Sequence, residues 1–251
     1  MNERVKVYVN SLVLEVTRRC NMHCDHCLRG DAEKMDMQQA TVDKILDTVD
    51  SIGSVTFSGG EPSLNIPLIR YFFKEAEKRG KLPSSFYIVT NGKAHMLDLA
   101  QLVLEWYAKF DEPDLCGVTI SQDVFHDIDW DDGRTAPVNY LAGLACYRPD
   151  DKKHSLNDRN KWVQPRGRAL ENGLGGDNVF HKMDEDTGNL YVDTYIPVGD
   201  TEYDASANID LLYVSATEKI SGDCDMPFEA IDRLPYSIDT LYEAIKAATE
   251  S

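Results

Sequence analysis

Apolar residues gather first in short runs separated by polar turns. Leu12–Val16 (LVLEV) is almost unbroken and stops at Thr17, the pattern of a strand buried on both faces. Thr41–Asp50 carries Val42, Ile45, Leu46 and Val49 on one helical stripe. Val55–Phe57 is a second short strand and runs into Ser58-Gly59-Gly60. Pro67–Arg79 reads as a helix with Pro at its start and Gly80 past its end. Phe86–Thr90 is a third strand, stopped by Asn91-Gly92, and Cys116–Ser121 is a fourth. Between them Ala94–Phe110 predicts a long helix with Leu97, Ala100, Leu104 and Tyr107 as its buried stripe. Strand and helix alternate, which predicts a parallel sheet covered by helices. Further on, Pro137–Tyr147 reads as a helix and Trp162–Gln164 as a strand. Leu190–Pro197 and Ile209–Ser215 are strand-like, and Ile238–Ala248 is a terminal helix.

Each of the first four strands hands over to a loop rich in Cys, Gly, Asn, Ser or Asp: CNMHCDHC, SGGEP, TNG and SQD. In parallel α/β folds the loops beyond the strand carboxyl ends build the site, so these four converge. Cys20, Cys24 and Cys27 form C-x3-C-x2-C directly after the first strand. Three thiolates this close can wrap one soft metal centre and are one short of saturating a four-iron cluster. A structural zinc completed by His23 or His26 satisfies the same spacing. In the second loop, Gly59 and Gly60 permit a close backbone approach because neither has a Cβ. Glu61 offers a carboxylate to a ligand ammonium, and Pro62 holds Glu61 towards extended geometry. A plain glycine turn with a solvated glutamate is the alternative. Ser121 and Asp123 are placed either for ribose hydroxyls or for a cap, and Asn91 and Gly92 either line a pocket or end a strand.

Composition narrows the classes. The 251 residues have a formal charge of −17, and 42% of them are apolar, a globular balance. The acidity is uneven: residues 1–147 carry −7, 148–170 carry +4 and 171–251 carry −14. The break near residue 170 suggests a core over 1–170 and an extension over 171–251. So negative a chain argues against binding nucleic acid through phosphates. The start, MNERVKVYVN, has no long apolar stretch, and no later run approaches a membrane span. The expectation is a cytoplasmic protein with reduced thiols and no membrane partner.

Taken together in order, CNMHCDHC, SGGEP, TNG and SQD resemble the loops of the radical S-adenosylmethionine enzymes, over at least residues 12–123. That resemblance implies an α/β fold, a partial (β/α)6 TIM-like barrel with a short α+β C-terminal extension. It implies Cys20, Cys24 and Cys27 as ligands of one [4Fe–4S] cluster, with His26 in the aromatic position near the adenine. S-adenosyl-L-methionine would chelate the open iron, with Gly59, Gly60, Glu61, Pro62, Asn91, Ser121 and Asp123 about it. The implied chemistry is reductive cleavage of that cofactor to a 5′-deoxyadenosyl radical, which takes hydrogen from a substrate. An external one-electron donor such as flavodoxin or ferredoxin is implied as well.

PRGRAL at 165–170 resembles the P-x-G-R-A segment of many peptide-modifying members, so Arg168 is expected at the cofactor carboxylate or the substrate. LYVSATEKISGDCDMPFEAID resembles a SPASM or twitch extension, but holds a single cysteine. Cys116, Cys146 and Cys224 therefore read as buried thiols rather than auxiliary ligands. His126 is either a proton-transfer residue or structural. A peptide or protein side chain is the expected substrate. A glycyl-radical activase, an enzyme acting on a nucleotide or other small molecule, and a noncatalytic zinc or iron–sulfur module are the alternatives.

Overall fold

The computed structural model describes residues 5–121, 125–126, 141–148, 163–175, 190–195 and 206–250, with the backbone alone for 193–195. Strands β1 (Lys6–Thr17), β2 (Ser51–Gly59), β3 (Ser85–Thr90) and β4 (Gly117–Ile120) alternate with helices α1 (Gln39–Thr48), α2 (Ile66–Lys78) and α3 (Met96–Trp106). Then follow α4 (Gly167–Glu171), β5 (Val192–Tyr195), β6 (Ser206–Val214), β7 (Ile220–Ser221), α5 (Phe228–Asp232) and α6 (Leu241–Thr249). The strands form one sheet in the order β4-β3-β2-β1-β6-β5, with β7 also on β6. β1 to β4 and β6 are mutually parallel where they pair, while β5 and β7 run antiparallel to β6. This is the mixed α/β, parallel-dominated architecture that the alternation predicts.

The first strand is longer than its apolar run. Lys6–Ser11 is mostly alternating, yet β2 and β6 both hydrogen-bond along it from Tyr8 or earlier. Leu12, Leu14 and Val16 face the helices with no exposed surface. Against them lie Val42, Ile45 and Leu46 of α1 and Ile69, Phe72 and Phe73 of α2. Phe73 sits at the centre of an aromatic knot, with ring centroids 5.2 Å from both Phe57 and Trp106. At the end of α2, Gly80 takes φ +66° while Lys81 N–H donates to Ala76 O at 2.8 Å, a glycine-terminated helix stop.

Two expectations need correction. In α3 the buried residues are Met96, Leu99, Ala100, Leu102, Val103 and Trp106, whereas Leu97 and Leu104 are 59% and 52% exposed. This helix is apolar nearly all round, so its period does not pick a face; the packing against Phe73 and Phe110 does. Val163 and Gln164 are not in a strand, because the chain turns there, with Arg166 N–H bonded to Gln164 O. Pro165, between them, has no N–H to give a ladder. Most of the helix expected at 137–147 lies outside the described residues; within them, Tyr147 bridges Val118 in parallel.

Charge breaks near residue 170, but hydrogen bonding runs across that point. β6 pairs with β1 from Lys6↔Ser206 to Leu14↔Val214. A second apolar cluster, Val13, Tyr213, Met226, Phe228, Ile231 and Leu234, covers the face of β1 and β6 away from the main core. Among the described residues no helix is long and apolar enough to cross a membrane.

Candidate functional site

The carboxyl ends of β1 to β4 open on one side of the sheet. The loop after β1 is a closed excursion. Arg18 N–H donates to Met35 O at 2.9 Å, Glu33 N–H to Arg18 O at 3.1 Å and Met37 N–H to Val16 O at 3.1 Å. These bonds pin its neck, so the cysteine segment 20–27 is presented from a fixed base. Cys20, Cys24 and Cys27 line a cleft of about 180 Å³ with Met22, His26, Ser58, Val89, Thr90, Ser121 and His126. Gly59, Gly60, Glu61, Pro62 and Asn91 complete its wall. The structure therefore brings together predicted residues from all four loops, except that Gly92 does not line the cleft and Asp123 lies outside the described residues.

The glycine pair has a nearer reason than ligand approach. Gly59 has φ +141°, and a Cβ there would lie 2.1 Å from Thr17 O. At Gly60 it would lie 2.4 Å from Arg19 O. Gly60 N–H and Glu61 N–H donate to Thr17 O and Arg19 O, both at 2.8 Å. The two glycines thus let the β2 loop dock on the root of the cysteine loop. Glu61 is buried, and its carboxylate accepts from Ser63 N–H at 3.0 Å, Thr90 Oγ1 at 2.6 Å and Asn91 N–H at 2.7 Å. It ties the second loop to the third and keeps one of roughly four lone-pair directions for a ligand. Thr90 was not singled out from the sequence; a hydroxyl at a strand end beside Asn-Gly is too common a signal.

Asn91 carries its amide to Asn21 Oδ1 at 2.8 Å and to Cys20 Sγ at 3.9 Å, and accepts from Lys93 N–H. Ser121 is held by its N–H on Thr90 O at 2.9 Å. His26 stacks on Phe125, with centroids 4.3 Å apart, and meets the His126 ring edge-on at 5.1 Å. Burial pushes the Cys20 thiol above its ordinary pKa, and the Glu61 and Cys27 charges add to that rise. Thiolate ligation there needs the field of a bound cation.

None of the six cysteines is in a disulfide. Among the described residues, the group of three potential ligand atoms lying within 4.8 Å of one another is Asp223, Cys224 and Asp225, not the cysteine triad. A single tetrahedral zinc, with Zn–S near 2.3 Å, draws sulfurs to roughly 3.8 Å apart. The wider triad fits a cluster in which each thiolate binds its own iron. The 223–225 carboxylates are already held, with Gln164 Nε2 on Asp225 at 2.8 Å and Arg166 3.4 Å from Asp223. Burial and the Asp225 charge raise the Cys224 pKa to about 11. Cys116 and Cys146 are buried at the amino end of β4, away from the cleft.

Behind the cysteine loop lies a charged network that the sequence did not announce. Arg18 and Glu15 have no exposed side-chain surface, and Arg18 Nε donates to Glu15 at 2.6 Å. Arg18 also forks onto Asp232 at 2.7 and 2.8 Å and reaches Glu33 at 3.0 Å. The other Glu15 oxygen accepts from Tyr213 Oη. Burial disfavours the Arg18 charge, but the Asp232 and Glu15 carboxylates outweigh it and raise its pKa. Arg168 also sits behind the loop: its guanidinium faces the loop backbone and is not among the cleft-lining groups.

Comparison with known proteins agrees with this geometry. A family model described as the radical SAM superfamily matches residues 14–142, just over half of the chain. An uncharacterized protein of Methanocaldococcus jannaschii is 38% identical over 61 residues, which cover 23% of this chain and 21% of that protein. The chain thus aligns with about a fifth of that curated relative's length. Streptococcus suis SuiB bound to S-adenosylmethionine superposes with a TM-score of 0.50 at 13% identity, over 94% of this chain and 66% of its own. Native anSMEcpe with bound AdoMet and a Cp18Cys peptide gives 0.40 at 16% identity, over 57% of this chain and 42% of its own.

Proposed function

The chain belongs to the radical SAM superfamily, and on that premise we propose that it modifies a peptide or protein side chain by hydrogen abstraction. The observation that carries the reading is the convergence of four strand-end loops on one cleft lined by three cysteines outside any disulfide. Cys20, Cys24 and Cys27 would hold one [4Fe–4S] cluster, and the opposite wall would hold S-adenosyl-L-methionine. Bound there, these groups supply one-electron cleavage of the cofactor to a 5′-deoxyadenosyl radical, fed by an external donor such as flavodoxin or ferredoxin.

The chain's own residues bind, orient and shield. The free lone pair of Glu61 would accept from the ligand's ammonium, and Asn91 would fix Cys20 and the adjoining wall. Ser121 and Asp123 would take ribose hydroxyls, while His26, already stacked on Phe125, would give the adenine a flat face. No side-chain acid or base is needed to start the reaction, so the cleft's main duties are positioning and keeping out competing hydrogen donors. A peptide substrate is supported by the PRGRA segment and by Val89, which exposes an apolar side chain in the cleft wall. Six cysteines outside any disulfide are compatible with a reducing, cytoplasmic setting.

The test is anaerobic. Purified chain, reconstituted with iron and sulfide, should hold about four of each per chain and form 5′-deoxyadenosine only with reductant; Cys24→Ala should abolish both. About one zinc and no sulfide would sink the reading. Hydrogen from a peptide encoded beside this gene, deuterated, should appear in the 5′-deoxyadenosine. Transfer from a nucleotide or a glycyl-radical protein instead would overturn the peptide assignment and keep the chemistry.

A further inference from the structure

The segment after residue 164 is built against the back of the cysteine loop rather than towards the cleft. Arg168 is 5% exposed, and its Nη2 donates to Cys24 O. Its Nη1 donates to His23 Nδ1 at 2.5 Å and lies 3.5 Å from Asp31. Its backbone N–H donates to Cys27 O at 3.0 Å. The neighbours do the same: Asn172 Nδ2 reaches Asp25 O at 3.0 Å. Gly167, at φ +51°, sits so near that a Cβ would fall 2.4 Å from Leu28 O and 2.7 Å from Gly30 N. The five-residue helix α4 and its C-cap Asn172 thus close on residues 23–31 through five carbonyl or side-chain contacts and one glycine-only approach.

We propose that Arg168 is a positioning residue that clamps the cysteine loop in its ligating shape, and that Gly167 is what lets it approach. An eight-residue segment carrying three ligands loses much conformational freedom when it binds a metal cluster. A guanidinium held on Cys24 O and the His23 ring, with the Arg168 backbone N–H on Cys27 O, removes part of that freedom beforehand, so less is lost on loading. This assigns Arg168 to the loop where the family resemblance points it at the cofactor carboxylate or substrate. It rests on the cluster reading only for its purpose; the clamp itself is a property of the protein chain.

Two measurements on the whole chain test it. Hydrogen exchange of the reduced, metal-free protein should speed at least tenfold for amides in 20–31 in Arg168→Ala, with the β1 to β4 strands unchanged. Gly167→Ala, which leaves the charge intact, should do the same. Arg168→Lys, keeping one donor for Cys24 O, should fall between. After reconstitution, Arg168→Ala should lose iron to a chelator several-fold faster than the wild type, and Arg168→Lys should recover part of that resistance. Unchanged loop exchange overturns the clamp, as does equal acceleration in loop and strands. If the wild type takes up zinc without sulfide, the functional reading fails while the exchange result still decides the clamp.

Discussion

Removing Arg18 should destabilise the protein by about 1 kcal/mol more than replacing both Arg18 and its partner Glu15. Neither side chain has exposed surface, and the Nε–Oε1 separation is 2.6 Å. In Arg18→Met, Glu15 keeps hydrogen bonds only from Ala216 N–H, at 3.1 Å, and the Tyr213 hydroxyl, with the Arg29 charge acting on it through space. A buried carboxylate stripped of its cation costs about 3–5 kcal/mol. Glu15→Gln leaves Arg18 paired with Asp232 and Glu33 and costs about 1–2 kcal/mol, near one charge-assisted hydrogen bond. In Glu15→Gln/Arg18→Met no charge is left buried at either position. The introduced amide oxygen can still accept from Ala216 N–H, and the introduced thioether can pack on Phe228, whose ring the guanidinium of Arg18 covers at 4.6 Å. The double variant should then be more stable than Arg18→Met alone, with a coupling of about 2–3 kcal/mol. Urea unfolding of the reduced, metal-free protein at pH 7 measures this through midpoints at a shared m-value. If the two single effects add to within about 0.5 kcal/mol, the pair is not coupled and the network described above is wrong.

Three further outcomes are expected. The Asp232 pKa is lowered, first by its hydrogen bonds from Arg18, so its stabilising contribution is present above the ordinary carboxylate value and lost as pH falls through the lower folded value. The stability gap between wild type and Asp232→Asn should therefore be flat from about pH 5 to 7 and narrow progressively as pH falls below the ordinary carboxylate value; a gap that does not narrow on acidification contradicts the assignment. Glu61→Gln turns an amide N–H2 towards one of the donors now on its carboxylate. It should weaken S-adenosyl-L-methionine binding at least tenfold by equilibrium dialysis while bound iron stays unchanged, and unaltered affinity would count against the ligand role. With its pKa near 11, Cys224 has about 100-fold less thiolate at pH 8 than a thiol at 9.0. Its greater intrinsic nucleophilicity offsets part of this, so iodoacetamide should label it about tenfold more slowly than a solvated cysteine; equal rates would refute the shift.

The order of strands and helices through residue 120, the cysteine spacing and the loop residues of the cleft were all legible in the chain itself. Each depends on contiguous residues: an apolar period, a turn chemistry, or ligands within eight positions of one another. What remained hidden was every choice of distant partner. Arg18 beside Arg19 looks like a solvated pair, yet its bidentate acceptor, Asp232, is 214 residues away. Ile209–Ser215 reads as a strand, but nothing local says that it lies parallel to β1 inside the sheet of the first half. The Gly59-Gly60 pair announces a close approach without saying that Thr17 and Arg19 are what approach. PRGRA announces an arginine without saying that it turns to the cysteine loop. α3 is apolar on too many sides to name its buried stripe. Local signals carry the elements and the donor atoms because backbone preference and ligand spacing act over a few residues. Register, burial of charge and the direction of a long side chain are set by contacts between segments up to 214 residues apart, and those exist only once the sheet has assembled.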